Sequence, residues 1–270
     1  MILASCRKDF VSNLSFSNHL QFREYPDSAD SSRHTAIDLQ NLQNRLANRR
    51  VCVLVHGYNT RLPGALKAFG EVERHLAAST PKYDQILGFI WPGGSLGISY
   101  PLARSRANKS APLFAQFLRE ILPAAAVVDV QTHSLGARVG LGALREAKAP
   151  SIRHLLLAAP AVDSSILRPG RRFHDSLKNA RRCFVFHSIH DDVLKKAYPL
   201  GDAADGIAPA LGLKGPMGRA ITLEKCPNVH VVDCRNHIHG HSDYRSTPAY
   251  YDFWHRLLSS GRLPRYSRLV

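Results

Sequence analysis

A serine flanked by a histidine before it and a glycine two residues after it lies in the run Val128-Asp129-Val130-Gln131-Thr132-His133-Ser134-Leu135-Gly136-Ala137. An apolar, β-branched segment meets a small-residue helical pattern there, with room for only a tight turn between them. A serine at the apex of such a turn is lifted clear of the strand ends, where its hydroxyl can attack an acyl carbon. The turn strains the serine backbone and requires small residues two before and two after it. Gly136 meets that requirement, whereas Thr132 is bulkier than the glycine expected on the other side.

Attack by a serine puts negative charge on the substrate carbonyl oxygen, and fixed N–H donors in a dry site stabilise it. The segment His56-Gly57-Tyr58-Asn59 follows the apolar run Val51 to Val55 and supplies a loop of the right kind. The expected donors are the backbone N–H groups of Tyr58 and of Leu135, directly after the serine. Gly57 allows backbone to approach a substrate closely. His56, at the strand end, reads as a brace for the loop rather than a reacting group.

A serine hydroxyl also needs a histidine to take its proton and a carboxylate to hold that histidine in one tautomer. His237, His239 and His241 precede the last helical pattern, and His241, next to Gly240 and nearest that helix, is the candidate base. The strand-like run Cys183 to His187 leads into Asp191 and Asp192; Asp191 is the candidate acid, with Asp192 the alternative and Asp163 a further one. The alternating histidines lack a carboxylate or cysteine at a known ligand spacing. Neither a metal nor a cofactor is expected.

These groups need elements to position them. Strand-like runs cover His19 to Tyr25, Arg50 to Val55, Gln85 to Trp91, Ala126 to Gln131, His154 to Ala159, Cys183 to His187 and Val229 to Val232. Most lack in-out alternation, as strands covered on both sides should. Helical patterns fall at Thr35 to Asn48, Pro63 to Ala78, Ala107 to Leu122, Ala137 to Lys148 and Ala249 to Ser259. The alternation predicts an α/β architecture: a mostly parallel central sheet with helices on both faces, in one domain spanning residues 1–270. Residues 195–222 interrupt the rhythm with interleaved glycines and prolines and read as a lid-like excursion.

The 270 residues carry 36 Lys and Arg against 21 Asp and Glu, a formal charge of +15. Such a balance favours anionic surfaces or substrates by long-range attraction. The basic residues are spread along the chain rather than gathered on one module, so no specific nucleic-acid partner is expected. Five cysteines without paired spacing argue against a disulfide framework. No run reaches the roughly 18 apolar residues of a membrane span, and no signal-peptide pattern is present, so a cytoplasmic location is expected. Leu3-Ala4-Ser5-Cys6 has the residue types of a lipoprotein cleavage box but no apolar region before it; it would imply export only with a start lying upstream.

In these residues the chain resembles the largely uncharacterised bacterial α/β-hydrolases that carry a His-Gly-Tyr-Asn loop. The likeness runs through Val53 to Asn59, Phe89 to Pro92, Tyr100, Thr132 to Ala137, Leu156 to Pro160, Ser188 to Leu194 and Gly240 to Ser242. Asp191 and His241 fall on that pattern, as an Asp three residues after a Ser and a Gly-His-Ser near the end. Two positions depart from it: Thr132, and Ala161 where an acid often follows the Ala-Ala-Pro run. The resemblance implies hydrolysis of an ester or related acyl bond, and the leading expectation is a carboxylic ester hydrolase acting on a small-molecule or lipid ester. The competing readings are a phospholipase or other lipid hydrolase at anionic surfaces, and a non-catalytic relative that binds a ligand.

Overall fold

Apolar runs without alternation become interior strands, because only a sheet covered on both faces can bury every residue of a run. In the computed structural model, which describes residues 1–78, 83–94, 100–146, 148–196, 198, 208–260 and 263–270, the first such strand is β1 (Ile2–Arg7), buried along its whole length. It is followed by β2 (Phe16–Glu24), β3 (Thr35–Ile37), helix α1 (Leu39–Leu46), β4 (Arg50–Val55), α2 (Leu62–Ala77), β5 (Gln85–Ile90) and α3 (Tyr100–Ile121). The second half contributes β6 (Val127–His133), α4 (Gly136–Ala143), β7 (Ile152–Ala158), β8 (Ala180–His187), α5 (Asp192–Lys196), α6 (Leu211–Lys214), α7 (Arg219–Lys225), β9 (Val229–Asp233), α8 (Pro248–Ser260) and β10 (Tyr266–Arg268).

The ten strands form one sheet in the order β10-β9-β8-β7-β6-β4-β5-β1-β2-β3. Every pairing from β10 to β1 is parallel, and β2 and β3 add an antiparallel edge. The expected bounds of three helices are corrected. Thr35 to Ile37 pairs with β2 instead of opening a helix, and the helix begins after Asp38, whose carboxylate accepts the Asn41 N–H at 2.7 Å. Leu3 to Cys6 lies inside β1, between β5 and β2, and Cys6 is fully buried. Helix α3 begins seven residues before the expected Ala107, and α4 stops at Ala143, short of the expected Lys148.

From β4 the chain crosses through α2 to β5 on one side, then returns through α3 to β6 on the other. Right-handed crossovers in opposite directions place α2 and α3 on opposite faces. The helices group accordingly: α1 and α4 contact α3, and α8 contacts α2. Between the carboxyl ends of β4 and β6 the departing loops diverge, which opens a crevice at the point where the strand order reverses.

The opposite end of β6 is fixed by a buried carboxylate. Asp129 accepts Arg153 Nε at 2.9 Å, Arg153 Nη2 at 2.5 Å, the His154 N–H at 3.1 Å and the Tyr83 hydroxyl at 2.6 Å. Tyr83 in turn accepts Trp254 Nε1 of α8 at 3.0 Å. Burial alone would push the Asp129 carboxyl up, but the bonds from Arg153 and His154 outweigh it and hold the group below its usual range. A depressed carboxyl contributes stability above its unfolded pKa and loses it as pH falls through the folded value. Asp129→Asn is therefore expected to lose about 3 kcal/mol in urea unfolding at neutral pH. The gap between wild type and variant should narrow below about pH 4, where the unfolded carboxyl protonates.

Candidate functional site

Ser134 sits just beyond β6 with φ of 55°, in the left-handed region that costs a non-glycine residue about 1–2 kcal/mol. Three backbone bonds hold it there: the Ser134 N–H donates to the Ala158 carbonyl at 3.0 Å, and the Ser134 carbonyl accepts Ala137 and Ala161 N–H groups at 3.1 Å each. The turn is tight enough to demand glycines around it. A Cβ on Gly136 would come within 2.5 Å of the His56 carbonyl oxygen, and one on Gly57 within 2.9 Å of Ser134 Cβ. The loops after β4 and β6 are thus interlocked at van der Waals distance. Asn59 completes the first loop at φ of 52°, a conformation that asparagine tolerates better than most residues.

Thr132, the residue bulkier than expected, finds its space in the helix behind the turn. A Cβ on Gly140 of α4 would lie 2.8 Å from Thr132 Cγ2. The volume added on the strand is removed from the helix, so the turn keeps its shape.

Across the crevice, His241 Nδ1 donates to Asp191 Oδ2 at 2.7 Å. The other oxygen, Oδ1, accepts the Leu194 N–H at 2.9 Å, so the start of α5 and the histidine share one fully buried carboxylate. Asp192 behaves differently: it lies in the first turn of α5 and pairs with Lys196 at 3.0 Å, both side chains exposed. Asp163 is buried, but its Oδ1 accepts the Ser165 N–H at 2.6 Å and its backbone pairs with Ala210. Of the three candidate acids, Asp191 is the one brought to His241.

The segments carrying Asp191 and His241 are joined to each other. Ser188 Oγ donates to the Ile238 carbonyl at 2.6 Å, and the Cys234 N–H donates to the His187 carbonyl at 2.8 Å. Asp243 Oδ2 accepts the N–H groups of His239 and Gly240, and a Cβ on Gly240 would fall 2.8 Å from Asp243 Oδ1. His133 Nε2 donates to the His241 carbonyl at 2.8 Å, tying the histidine loop to the serine turn. Burial, with His241 next to it, holds His133 well below the ordinary imidazole range. His237 and His239 are exposed; the His239 ring lies 5.4 Å from that of His190. Among the described residues no group of three or more His, Cys, Asp or Glu could hold a metal ion.

Ser134, His241 and Tyr58 line a single cavity of about 1030 Å³. Its walls are largely apolar and aromatic, with Phe69 and Val72 from α2, Tyr100 from α3, Leu194 from α5, and Tyr198 and Tyr244. Tyr100 donates to the Ala161 carbonyl at 3.0 Å, at the position where the family pattern often has an acid. Leu135, directly after Ser134, is fully buried at the start of α4. Of the expected lid, residues 197 and 199–207 lie outside the described residues. Its neighbouring stretch docks on the strand-end loops, with the Leu211 N–H on the Val162 carbonyl at 2.7 Å and the Ser188 N–H on the Gly212 carbonyl at 3.0 Å. Two contributions were missed in the sequence: the role of His133, which stands in the serine motif but whose partner lies 108 residues away, and Arg7, a charged residue ending an apolar run.

His56 carries the bracing geometry expected of it. Its ring stacks on Trp91 with centroids 5.4 Å apart, its Nε2 accepts the Trp91 N–H at 3.1 Å, and its carbonyl accepts Trp91 Nε1 at 2.9 Å. Burial and the adjacent Arg7 charge hold it well below the ordinary imidazole range, so the ring is neutral.

A mostly parallel sheet flanked by helices, with a strained serine turn at the point where strand order reverses, defines an α/β-hydrolase fold. The family model described as alpha/beta hydrolase of unknown function (DUF900) matches residues 31–250, and the chain belongs to that family. No curated protein matches the chain. Among solved structures it is similar to the Pyrococcus furiosus esterase Pf2001, with 12% identity, 96% of this chain and 89% of that one covered, and a TM-score of 0.49. It is also similar to LpqC, a poly(3-hydroxybutyrate) depolymerase from Bordetella parapertussis, with 18% identity, 91% and 86% covered, and a TM-score of 0.49.

The pairing of Thr132 with Gly140 is testable by a double-mutant cycle. Gly140→Ala is expected to cost about 1–2 kcal/mol in spite of the better helix propensity of alanine, because it overpacks against Thr132 Cγ2. In the background of Thr132→Ser, which removes that methyl, the same change should be neutral or stabilising. Equal costs in both backgrounds would show that the two residues do not share the space.

Proposed function

We propose that this α/β hydrolase is a serine hydrolase that cleaves carboxylic esters through an acyl-enzyme intermediate. The observation that carries the reading is the pairing of His241 Nδ1 with the buried Asp191 carboxylate on the same cavity as a serine in a left-handed turn. A structural histidine would not need a buried carboxylate partner beside an apolar cavity. A bare strand-to-helix turn would not need the strain.

In the proposed reaction the ester carbonyl carbon is attacked by Ser134 Oγ, whose proton passes to His241 Nε2. Asp191 holds the ring with Nδ1 protonated and stabilises the imidazolium that forms. The carbonyl oxygen, now negative, is held by the N–H groups of Tyr58 and Leu135. Collapse of the tetrahedral species breaks the bond to the alcohol, which leaves with the proton from His241. Water then attacks the acyl carbon, gives its proton to His241, and releases the carboxylic acid and the free serine.

The cavity gives room for a ligand of moderate size, and its apolar and aromatic lining favours an acyl or alcohol portion that is itself apolar.

A fluorophosphonate probe should label folded wild-type protein and fail to label Ser134→Ala. With a nitrophenyl ester series of increasing acyl length, Asp191→Asn should lower kcat by about 10⁴-fold, because it favours the wrong tautomer of the histidine. Asp192→Asn should stay within about twofold of wild type, as expected of an exposed ion pair. Folded wild type that neither labels nor turns over any ester would overturn the reading and leave a ligand-binding protein in its place.

A further inference from the structure

Arg7, the last residue of β1, is completely buried, and among the described residues no carboxylate pairs with it. A guanidinium without a counter-charge is costly to take out of water. Burial lowers it, to about 10, yet it remains protonated at neutral pH. Its donors go to the strand ends around the Tyr58 loop: Nε to the Trp91 carbonyl at 2.9 Å, Nη2 to the Thr60 carbonyl at 2.7 Å, and Nη2 to His56 Nε2 at 3.0 Å.

The last contact fixes a proton. His56 Nε2 faces two groups that can only donate, the Arg7 guanidinium and the Trp91 N–H at 3.1 Å, so it must present its lone pair. The ring proton of neutral His56 is therefore on Nδ1, which lies 2.7 Å from the Gly57 carbonyl oxygen and donates to it. A peptide unit is planar and trans, so anchoring the Gly57 carbonyl sets the direction of the Tyr58 N–H on the opposite side of the same plane.

We infer that Arg7 is a positioning residue for oxyanion binding: by holding His56 in its Nδ1–H tautomer it fixes the Gly57–Tyr58 peptide and so aims the Tyr58 N–H. This rests on the proposed hydrolase reading and extends it to a residue that does not line the cavity. The chain of contacts runs from Arg7 to His56 to Gly57 to Tyr58, and each link is a hydrogen bond or a rigid peptide. The same guanidinium also holds Thr60, so both ends of the loop are fixed from one point.

The test compares wild type with Arg7→Met and Arg7→Lys, using a nitrophenyl ester, with active sites counted by end-point fluorophosphonate labelling. Arg7→Met is expected to lose about 10²-fold in kcat per active site, the scale of one misplaced oxyanion donor, with KM within about threefold. Affinity for a trifluoromethyl ketone, which forms a charged oxyanion adduct, should fall by the same factor. Arg7→Lys should lie between, since an ammonium keeps the charge but not the planar fork. Unchanged kcat per site in Arg7→Met, or a loss in kcat with ketone affinity intact, would overturn the inference. Should Arg7→Met fail to fold, nitrogen NMR of wild-type histidines decides: His56 protonated on Nδ1 is expected, and protonation on Nε2 would refute it. Wild type that neither labels nor hydrolyses would instead remove the hydrolase reading itself, and this inference with it.

Discussion

The backbone at Ser134 is bent into a conformation that disfavours every residue except glycine, and the parts of the site fit around that bend. A strained turn persists only where its surroundings overdetermine it. Here they do so by proximity: Gly136 lies against the carbonyls of Val55 and His56, Gly57 against Ser134 Cβ, and Gly140 against Thr132. The serine turn and the Tyr58 loop consequently form one packed unit at the carboxyl ends of β4 and β6. The sheet supplies the room for that unit, because the chain changes direction along the sheet between those two strands.

Charge is handled economically in that unit. The chain as a whole is strongly basic, yet His56 and His133 are kept neutral by burial and serve as rigid hydrogen-bonding plates. His241 alone among the cavity's histidines is given a carboxylate, and that carboxylate is held by the Leu194 N–H as well, so its orientation does not depend on the histidine. The buried positive charge of Arg7 is spread over carbonyl oxygens and an imidazole lone pair. Oriented dipoles thus do locally what counter-ions would do elsewhere.

What could be read from the sequence was what depends on neighbours along the chain. The serine turn announces itself because strand, apex, glycine and helix follow one another, and apolar runs mark β4 from Val51, β5 from Ile86 and β8 from Cys183. Asp191 and Asp192 are adjacent and chemically identical; what separates them is that one precedes α5 and points inward while the next sits on its exposed first turn. Strand β1 was hidden because Ser5 interrupts and Arg7 ends its short apolar pattern, and the partners of Arg7 come from distant parts of the fold. The helix expected from Thr35 formed only from Leu39, since the short stretch Thr35 to Ile37, which also fits helical spacing, was taken by the edge of the sheet. The neighbours of His133 and Arg7 are far away in sequence, and no local pattern encodes them.

The position of β1 in the sheet bears on the order in which the molecule is assembled. Its parallel partner is β5, and the bond from Arg7 to Trp91 spans 84 residues. As the chain emerges from the ribosome, β1 can pair with β2 at once, but its other edge has no partner until β5 has been made. Closing so large a loop delays contacts of this kind relative to local ones. The loop around Tyr58 can reach its final shape only after that pairing, although most of its own residues are contiguous. A chain stalled before β5 would carry an intact His-Gly-Tyr-Asn sequence without the Trp91 contacts that brace it.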